Sequence, residues 1–330
     1  MSDDQTGLDR GLVLGAVRAT EAAAIAASRL IGSGDEKAAD QAAVDAMRTL
    51  LNDIEFDGEV VIGEGERDEA PMLYIGEKVG TGKGPKIDIA LDPLEGTTIT
   101  ATGGPNALAV LAMAEKGGFL NAPDTYMEKI AVGGGLPDGV VDLDRAPGDN
   151  IRALAKAKGC APSDLMACIL DRPRHQKIID EVRRAGARIK LIPDGDVAGV
   201  IACAEKGTGV DIYMGIGGAP EGVLAAAALC CIGGQMQGRL VFRTDDERAR
   251  AQRMGITDFS RKYSLHDLAH GDVLFAASGV TDGSMLQGVQ RRDDVVFTYS
   301  IVMRAKTGSV RWIKAQHDIA KALKGTIKGR

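Results

Sequence analysis

Four acidic residues, Glu64, Glu66, Asp68 and Glu69, crowd into the segment Gly63-Glu64-Gly65-Glu66-Arg67-Asp68-Glu69-Ala70-Pro71, directly after a short apolar run. Like charges this close repel one another. A solvated loop tolerates such crowding at little cost, and a divalent cation, which takes oxygen ligands, compensates it. A second cluster, Asp92-Pro93-Leu94-Glu95-Gly96-Thr97-Thr98, sets two carboxylates three residues apart around a proline that stiffens the chain, then adds a glycine and a hydroxyl. Two oxygen ligands and a hydroxyl that positions water would then face one pocket; the plainer alternative is an ordinary turn. The third segment, Gly215-Ile216-Gly217-Gly218-Ala219-Pro220-Glu221-Gly222, follows an apolar run and opens a helix. Pro220 suits the first helical turn, and the free backbone amides there can receive an anionic group. Glu221 at a helix start is favourable for the dipole whatever its function. No Gly-Lys-Ser/Thr follows this cluster or Gly80-Thr81-Gly82-Lys83-Gly84, so neither is a Walker A loop and ATP binding is not indicated.

The elements that must carry these groups are legible in outline. Ala-rich text from Leu12 to Ile31 predicts a helix that stops at Gly32-Ser33-Gly34. Asp35 reads as the N-cap of a second helix ending near Leu51, with Asp40 one turn inside it. Short strands are predicted over Glu59–Gly63 and Ile87–Leu91, each delivering a carboxylate, Glu64 or Asp92, at its end, and over Ala107–Met113. After Pro147 a helix begins near Asp149, and the text then alternates strand and helix: Ala167–Leu170, Arg174–Ala185, Arg188–Ile192, Val197–Ala204, Asp211–Gly215 and Pro220–Ile232. That alternation means an α/β layer. A charged helix over Asp245–Met254 precedes strands around Val273–Ser278, Val295–Val302 and an antiparallel Val310–Ile313. A boundary near 147 divides the chain into an N-terminal half, 1–146, and a C-terminal half, 147–330. The basic end, Lys321 to Arg330, reads as a solvated, mobile tail.

Composition narrows the chemistry. Forty Lys plus Arg against 46 Asp plus Glu leave a net charge of −6, which disfavours a nucleic-acid partner. The longest wholly apolar run, Val223 to Ile232, is far shorter than the roughly 18 residues that span a bilayer, so no membrane partner is expected. The polar start, Met1 to Arg10, lacks the pattern of a secretory leader, which points to the cytoplasm. Five Cys without CxxC spacing read as buried thiols, so any metal chemistry must come from carboxylates. The four His show no ligand spacing; His175 reads as a local cap or hydrogen-bonding group.

Six motifs in order, GEGERDEAPMLYIGE, DPLEGT, NAPDTYMEK, DRPRH, PDGDV and GIGGAPEG, together closely resemble class II fructose-1,6-bisphosphatases, over a span from about Gly32 to the 270s. DPLEGT is also similar to the signature of the wider lithium-sensitive, metal-dependent sugar and inositol phosphatases, with Glu95 in place of a second Asp. The resemblance implies a layered α-β-α-β-α sandwich, mixed α/β (α+β) in class. It also implies hydrolysis of D-fructose 1,6-bisphosphate, a small-molecule sugar bisphosphate, to fructose 6-phosphate and phosphate, in gluconeogenesis or an allied carbon pathway.

Carried over residue by residue, the likeness puts Asp40, Glu64, Asp92, Glu95 and Glu221 at the ligand positions for Mg²⁺ or Mn²⁺. In such sites paired ions activate a water and steady the departing ester oxygen. Thr97 would orient the attacking water and Asp68 would assist proton removal. Substrate contacts would fall at Glu95, Gly96, Thr97, Tyr126, Arg172, Pro173, Arg174, Asp194, Gly195, Asp196 and Gly218. Arg172 and Arg174 suit the retained phosphate, Tyr126 adds a hydroxyl, and Asp194 and Asp196 suit sugar hydroxyls. Read alone, Arg-Pro-Arg is surface charge and Asp-Gly-Asp an everyday turn.

Two departures stand out. Where relatives commonly have Gly-Asp-Lys before the first ligand, this chain has Gly34-Asp35-Glu36, with Lys37 one place on. Thr98 and Arg172 fall where relatives vary. The DRPRH form is shared with relatives that also accept sedoheptulose 1,7-bisphosphate. A homo-oligomer, dimer or tetramer, is expected. The alternatives are an inositol or other sugar monophosphatase of the same superfamily, or a metal-binding regulatory protein without turnover.

Overall fold

The computed structural model describes residues 8, 10–64 and 73–318. In chain order the elements are α1 (Arg10–Ala27), α2 (Glu36–Leu51), β1 (Asp57–Ile62), β2 (Lys78–Val79), β3 (Lys86–Glu95), α3 (Thr97–Thr102), β4 (Leu108–Glu115), β5 (Tyr126–Gly133), α4 (Pro147–Lys158), β6 (Met166–Leu170), α5 (Gln176–Arg184), β7 (Arg188–Ile192), α6 (Asp196–Ile201), β8 (Ile212–Gly218), α7 (Ala219–Ile232), β9 (Gly234–Val241), α8 (Asp245–Arg253), β10 (Tyr263–Ser264), α9 (Leu265–Leu268), β11 (Val273–Gly279), β12 (Gln290–Arg292), β13 (Val295–Arg304) and β14 (Ser309–Asp318). Two mixed sheets result. The eight-stranded one runs β12-β13-β11-β4-β3-β1-β2, with β14 on the free side of β13; the six-stranded one runs β10-β9-β5-β8-β6-β7.

Side-chain parity along the strands sorts the core into three apolar layers, as the two-residue period of a strand requires. On β4, Ala109, Leu111 and Met113 join α1 and α2 on the outer face of the first sheet. Leu108, Val110 and Ala112 on the same strand point inward, to a layer filled by α7 and α6. That middle layer meets Met127, Ala131 and Tyr213 of the second sheet, whose other face packs Ile130, Ile169 and Met214 against Ile151 and Leu154 of α4 and Val182 of α5. The order is therefore α-β-α-β-α, as the resemblance implied.

The placement of α7 explains its composition. A helix between two sheets has no solvent face, so the run Val223 to Leu229 is apolar all round and fully buried. Gly11–Leu30 is the one helical stretch among the described residues long and apolar enough to cross a membrane. In the fold its Ala16, Val17, Ala19, Ala23, Ala24 and Ala27 face is sealed against the first sheet and α2.

Segments from both sides of residue 147 enter both sheets: β5 lies in the second, and β11 to β14 lie in the first. Two long strands escape the sequence reading. In β5, Glu128-Lys129 interrupts the apolar text, and in β9 one face carries Gln235, Gln237 and Arg239 while Met236 and Leu240 face inward. The tail from Lys321 lies outside the described residues.

Candidate active site

The site forms where elements of both sheets end. Strand β3 does not stop at Leu91, as its apolar text suggests, but continues to Glu95 across a break in register with β4: Asp92 pairs Val110, and Glu95 pairs Leu108. The extra residue is decisive. Three positions apart on a regular strand, Asp92 and Glu95 would face opposite sides; the bulge, at Pro93, resets the parity, so Leu91 and Leu94 both go to the outer core while the two carboxylates share the inner side. Gly96 follows with φ 93°, a left-handed conformation that glycine adopts without strain, and it caps α3 so that Thr97 is the first helical residue.

Asp40 comes from α2, whose N-cap Asp35 accepts from the Ala38 amide at 3.0 Å. Glu64 follows β1, its amide bonded to Leu73 O at 3.0 Å. Glu221 lies in the first turn of α7, beyond the N-cap Gly218. A Cβ on Gly217 would collide with the Asp196 carboxylate, and one on Gly218 with Glu221, so these glycines let acidic groups lie against bare backbone.

All of these line one cavity of about 320 Å³: Asp40, Glu64, Asp92, Glu95 and Glu221, together with Gly96, Thr97, Tyr126, Arg172, Arg174, Asp194, Gly195, Asp196 and Gly218. Pro173 starts the turn between Arg172 and Arg174 and is not part of the lining. Asp68 lies outside the described residues.

The carboxylates repel each other in a dry setting. Burial, then Asp40, Glu221 and further acids, push Glu64 up to about 8. Burial pushes Glu221 up to about 7, against the opposing pull of Lys129. Asp92 and Glu95 are both raised well above the carboxylate range, first by burial and then by the neighbouring carboxylates. Asp40 is raised by burial. Among the described residues, no group of three or more His, Cys, Asp or Glu side chains already stands close enough to hold a metal ion. The chemistry of the set nevertheless fits hard divalent cations: the donors are oxygens, they converge on one cavity, and only added positive charge relieves their repulsion.

Arg174 donates from Nε and Nη2 to Ile216 O at 3.0 and 2.7 Å and lies over the Tyr126 ring, 5.1 Å from its centroid. Arg172 reaches Asp194 at 3.5 Å. Asp194 is raised by burial, with Arg172 opposing and Glu36, the residue where relatives carry lysine, adding to the rise. Asp196, expected at sugar hydroxyls, already accepts through Oδ2 from Tyr213 OH at 3.0 Å and pairs with Lys129.

Lys129 closes the NAPDTYMEK motif but has no role in the sequence reading; a lysine inside a strand ordinarily marks a solvent face, and here it is buried. His175 behaves as read, locally. Its Nδ1 donates to Leu170 O and its Nε2 accepts from the Ile216 amide, both at 2.8 Å, which leaves the ring neutral. Burial lowers its pKa. Parallel β6 and β8 pair only at Ala167–Ile212 and Cys168–Tyr213, and beyond that point the imidazole bridges the parting strands. The cysteines lie away from the lining, and burial pushes Cys168 up to about 12 and Cys230 to about 11, which disfavours the thiolate at these two.

Residues 10–317 match the family model described as bacterial fructose-1,6-bisphosphatase, glpX-encoded. The chain is 47% identical over 322 residues to fructose-1,6-bisphosphatase 1 class 2 of Escherichia coli (strain K12), covering 93% of this chain and 95% of that protein. The class 2 fructose-1,6-bisphosphatase of Shigella flexneri matches to the same extent.

Proposed function

Because the chain belongs to the bacterial, glpX-encoded fructose-1,6-bisphosphatase family, we propose that it hydrolyses D-fructose 1,6-bisphosphate to fructose 6-phosphate and phosphate. The observation that carries this reading is the shared cavity: Asp40, Glu64, Asp92, Glu95 and Glu221 line it together with Arg172 and Arg174, so one pocket holds a cation-binding floor and a second anion grip. A monophosphatase needs no such grip.

In this reading Asp40, Glu64, Asp92, Glu95 and Glu221 hold Mg²⁺ or Mn²⁺. When bound, the cations supply Lewis acidity, which acidifies water and offsets phosphoryl charge. Thr97, at the start of α3, turns its hydroxyl to orient the attacking water, and Asp68 takes up the proton it gives off. Arg172 and Arg174 fork onto the retained 6-phosphate; the Ile216 carbonyl and the Tyr126 ring hold the Arg174 guanidinium in place for this. Tyr126 donates its hydroxyl, Asp194 accepts from the sugar, and Gly96, Gly195 and Gly218 leave room for it. Asp196, tied to Lys129 and Tyr213, holds the shape of that wall.

The reading extends to sedoheptulose 1,7-bisphosphate, to a homo-oligomer and to the cytoplasm, in keeping with an apolar α1 that is docked on the first sheet. Phosphate release from fructose 1,6-bisphosphate, with and without Mn²⁺, is the test: metal-dependent release is expected, and a folded, metal-supplied protein that releases none overturns the proposal. Kinetics on the two bisphosphates side by side decide the substrate range, light scattering the oligomer, and cell fractionation the compartment.

A further inference from the structure

A second cavity of about 300 Å³ adjoins the first and shares Glu64, Asp92, Tyr126, Gly218 and Glu221 with it. Its remaining lining brings in Asp124 and one cation among the described residues, Arg243. Both lobes' guanidiniums lie over the Tyr126 ring: Arg174 is 5.1 Å from its centroid and Arg243 4.3 Å.

Arg243 is anchored rather than loose. Its Nε and Nη2 donate to Glu247 Oε1 at 3.0 and 2.7 Å, and its own amide donates to Oε2 at 2.6 Å. Glu247 is 4% exposed, also accepts from Thr125 at 3.1 Å, and is held down to about 2 by these bonds. A buried carboxylate with that many partners is an orienting group. It leaves the other guanidinium donors without a protein acceptor among the described residues. The close ion pair of Arg243 is with Glu247, and the charge of Asp124 acts on it only at longer range.

We propose that Arg243 binds the phosphoryl group that is cleaved, opposite the floor carboxylates, and that Glu247 is the positioning residue that aims it. This rests on the phosphatase reading above and assigns the two phosphates to two lobes, Arg172 and Arg174 in one and Arg243 in the other. An oriented fork at that point recognises a tetrahedral dianion and has no use for a sugar hydroxyl.

The test compares wild type with Arg243→Met, Arg243→Lys, Glu247→Gln and Arg174→Met, all metal-loaded. It reads kcat and KM on fructose 1,6-bisphosphate, inhibition by inorganic phosphate, and the rise in melting temperature that inorganic phosphate alone produces. Arg243→Met should lower kcat/KM about 100-fold and weaken phosphate affinity about tenfold or more, as expected for losing charge-assisted hydrogen bonds. The lysine variant should recover part of both, and Glu247→Gln should fall between. Since the Arg243 side chain is 58% exposed, the fold should survive its loss. Arg174→Met should raise KM and weaken inorganic phosphate affinity less than Arg243→Met does. Unchanged phosphate affinity in Arg243→Met, or a profile copying that of Arg174→Met, overturns the assignment. Absence of bisphosphatase turnover in wild type would sink the functional reading instead, while the melting experiment would still judge Arg243.

Discussion

Lys129 Nζ lies 2.5 Å from Asp196 Oδ2, with both side chains sealed from solvent, and the same ammonium donates to Gly218 O at 2.8 Å, on the residue that caps α7. One buried cation thus ties β5 to the start of α6 and to the start of the helix that delivers Glu221. Lys129→Met leaves the Asp196 carboxylate buried and unpaired, which costs about 3–5 kcal/mol. Urea unfolding should show a loss of that size; a difference below about 1 kcal/mol would mean that water reaches the pair.

Without cations the acidic floor should work against the fold, in a pH window whose sign is fixed. Glu64 at about 8 and Glu221 at about 7, both above an ordinary value of 4.5, bind protons in the folded chain that the unfolded chain has released. Their contribution to stability is fully present below about 4.5 and is lost as pH rises through 7 and 8. Metal-free protein should lose on the order of a few kcal/mol between pH 5.5 and 8.5. Saturating Mn²⁺ should flatten the profile. Equal melting temperatures at the two pH values in chelator would contradict this.

Glu64→Gln and Asp92→Asn should each lower turnover about 10³-fold or more, since each removes part of the cation floor. In chelator, both variants should melt above wild type at pH 8, because a neutral amide relieves the repulsion. Turnover near the wild-type rate would remove the substituted residue from the mechanism.

His175 splices two strands. Replacing it by Phe strands the Ile216 amide and leaves the Leu170 carbonyl with the Arg172 amide as its donor, at a cost of about 1–3 kcal/mol. Ile216 O anchors Arg174, so KM for the bisphosphate should rise as well. A variant with wild-type stability and KM would show that the imidazole bridge is dispensable.

The local text was sufficient for elements whose pattern depends only on their own neighbours. Asp35 as a cap, Pro220 at the start of α7 and the stop after the first helix all follow from short-range backbone chemistry. The carboxylates, the arginine pair and Thr97 were legible as motifs, and one cavity collects them. Lys129, though it closes a quoted motif, and Arg243 and Glu247 had no role in the text alone. Each draws its meaning from a partner on another element: a lysine in mid-strand reads as solvent-facing until Asp196 and Gly218 close over it, and Arg243 reads as surface charge until the Tyr126 ring lies beside it.

By itself the amino-acid order marked the acidic clusters whose oxygens suit cations and most of the helices and strands that carry them, because capping, apolar periodicity and charge spacing are local properties. Tertiary structure alone decided that Asp92 and Glu95 share a side, through a one-residue bulge read against β4, and that α7 is apolar all round because two sheets enclose it. It also decided which charges are neutralised. Burial and the distance between residues remote in sequence set the energy of a charge, and neither exists until the layers have closed.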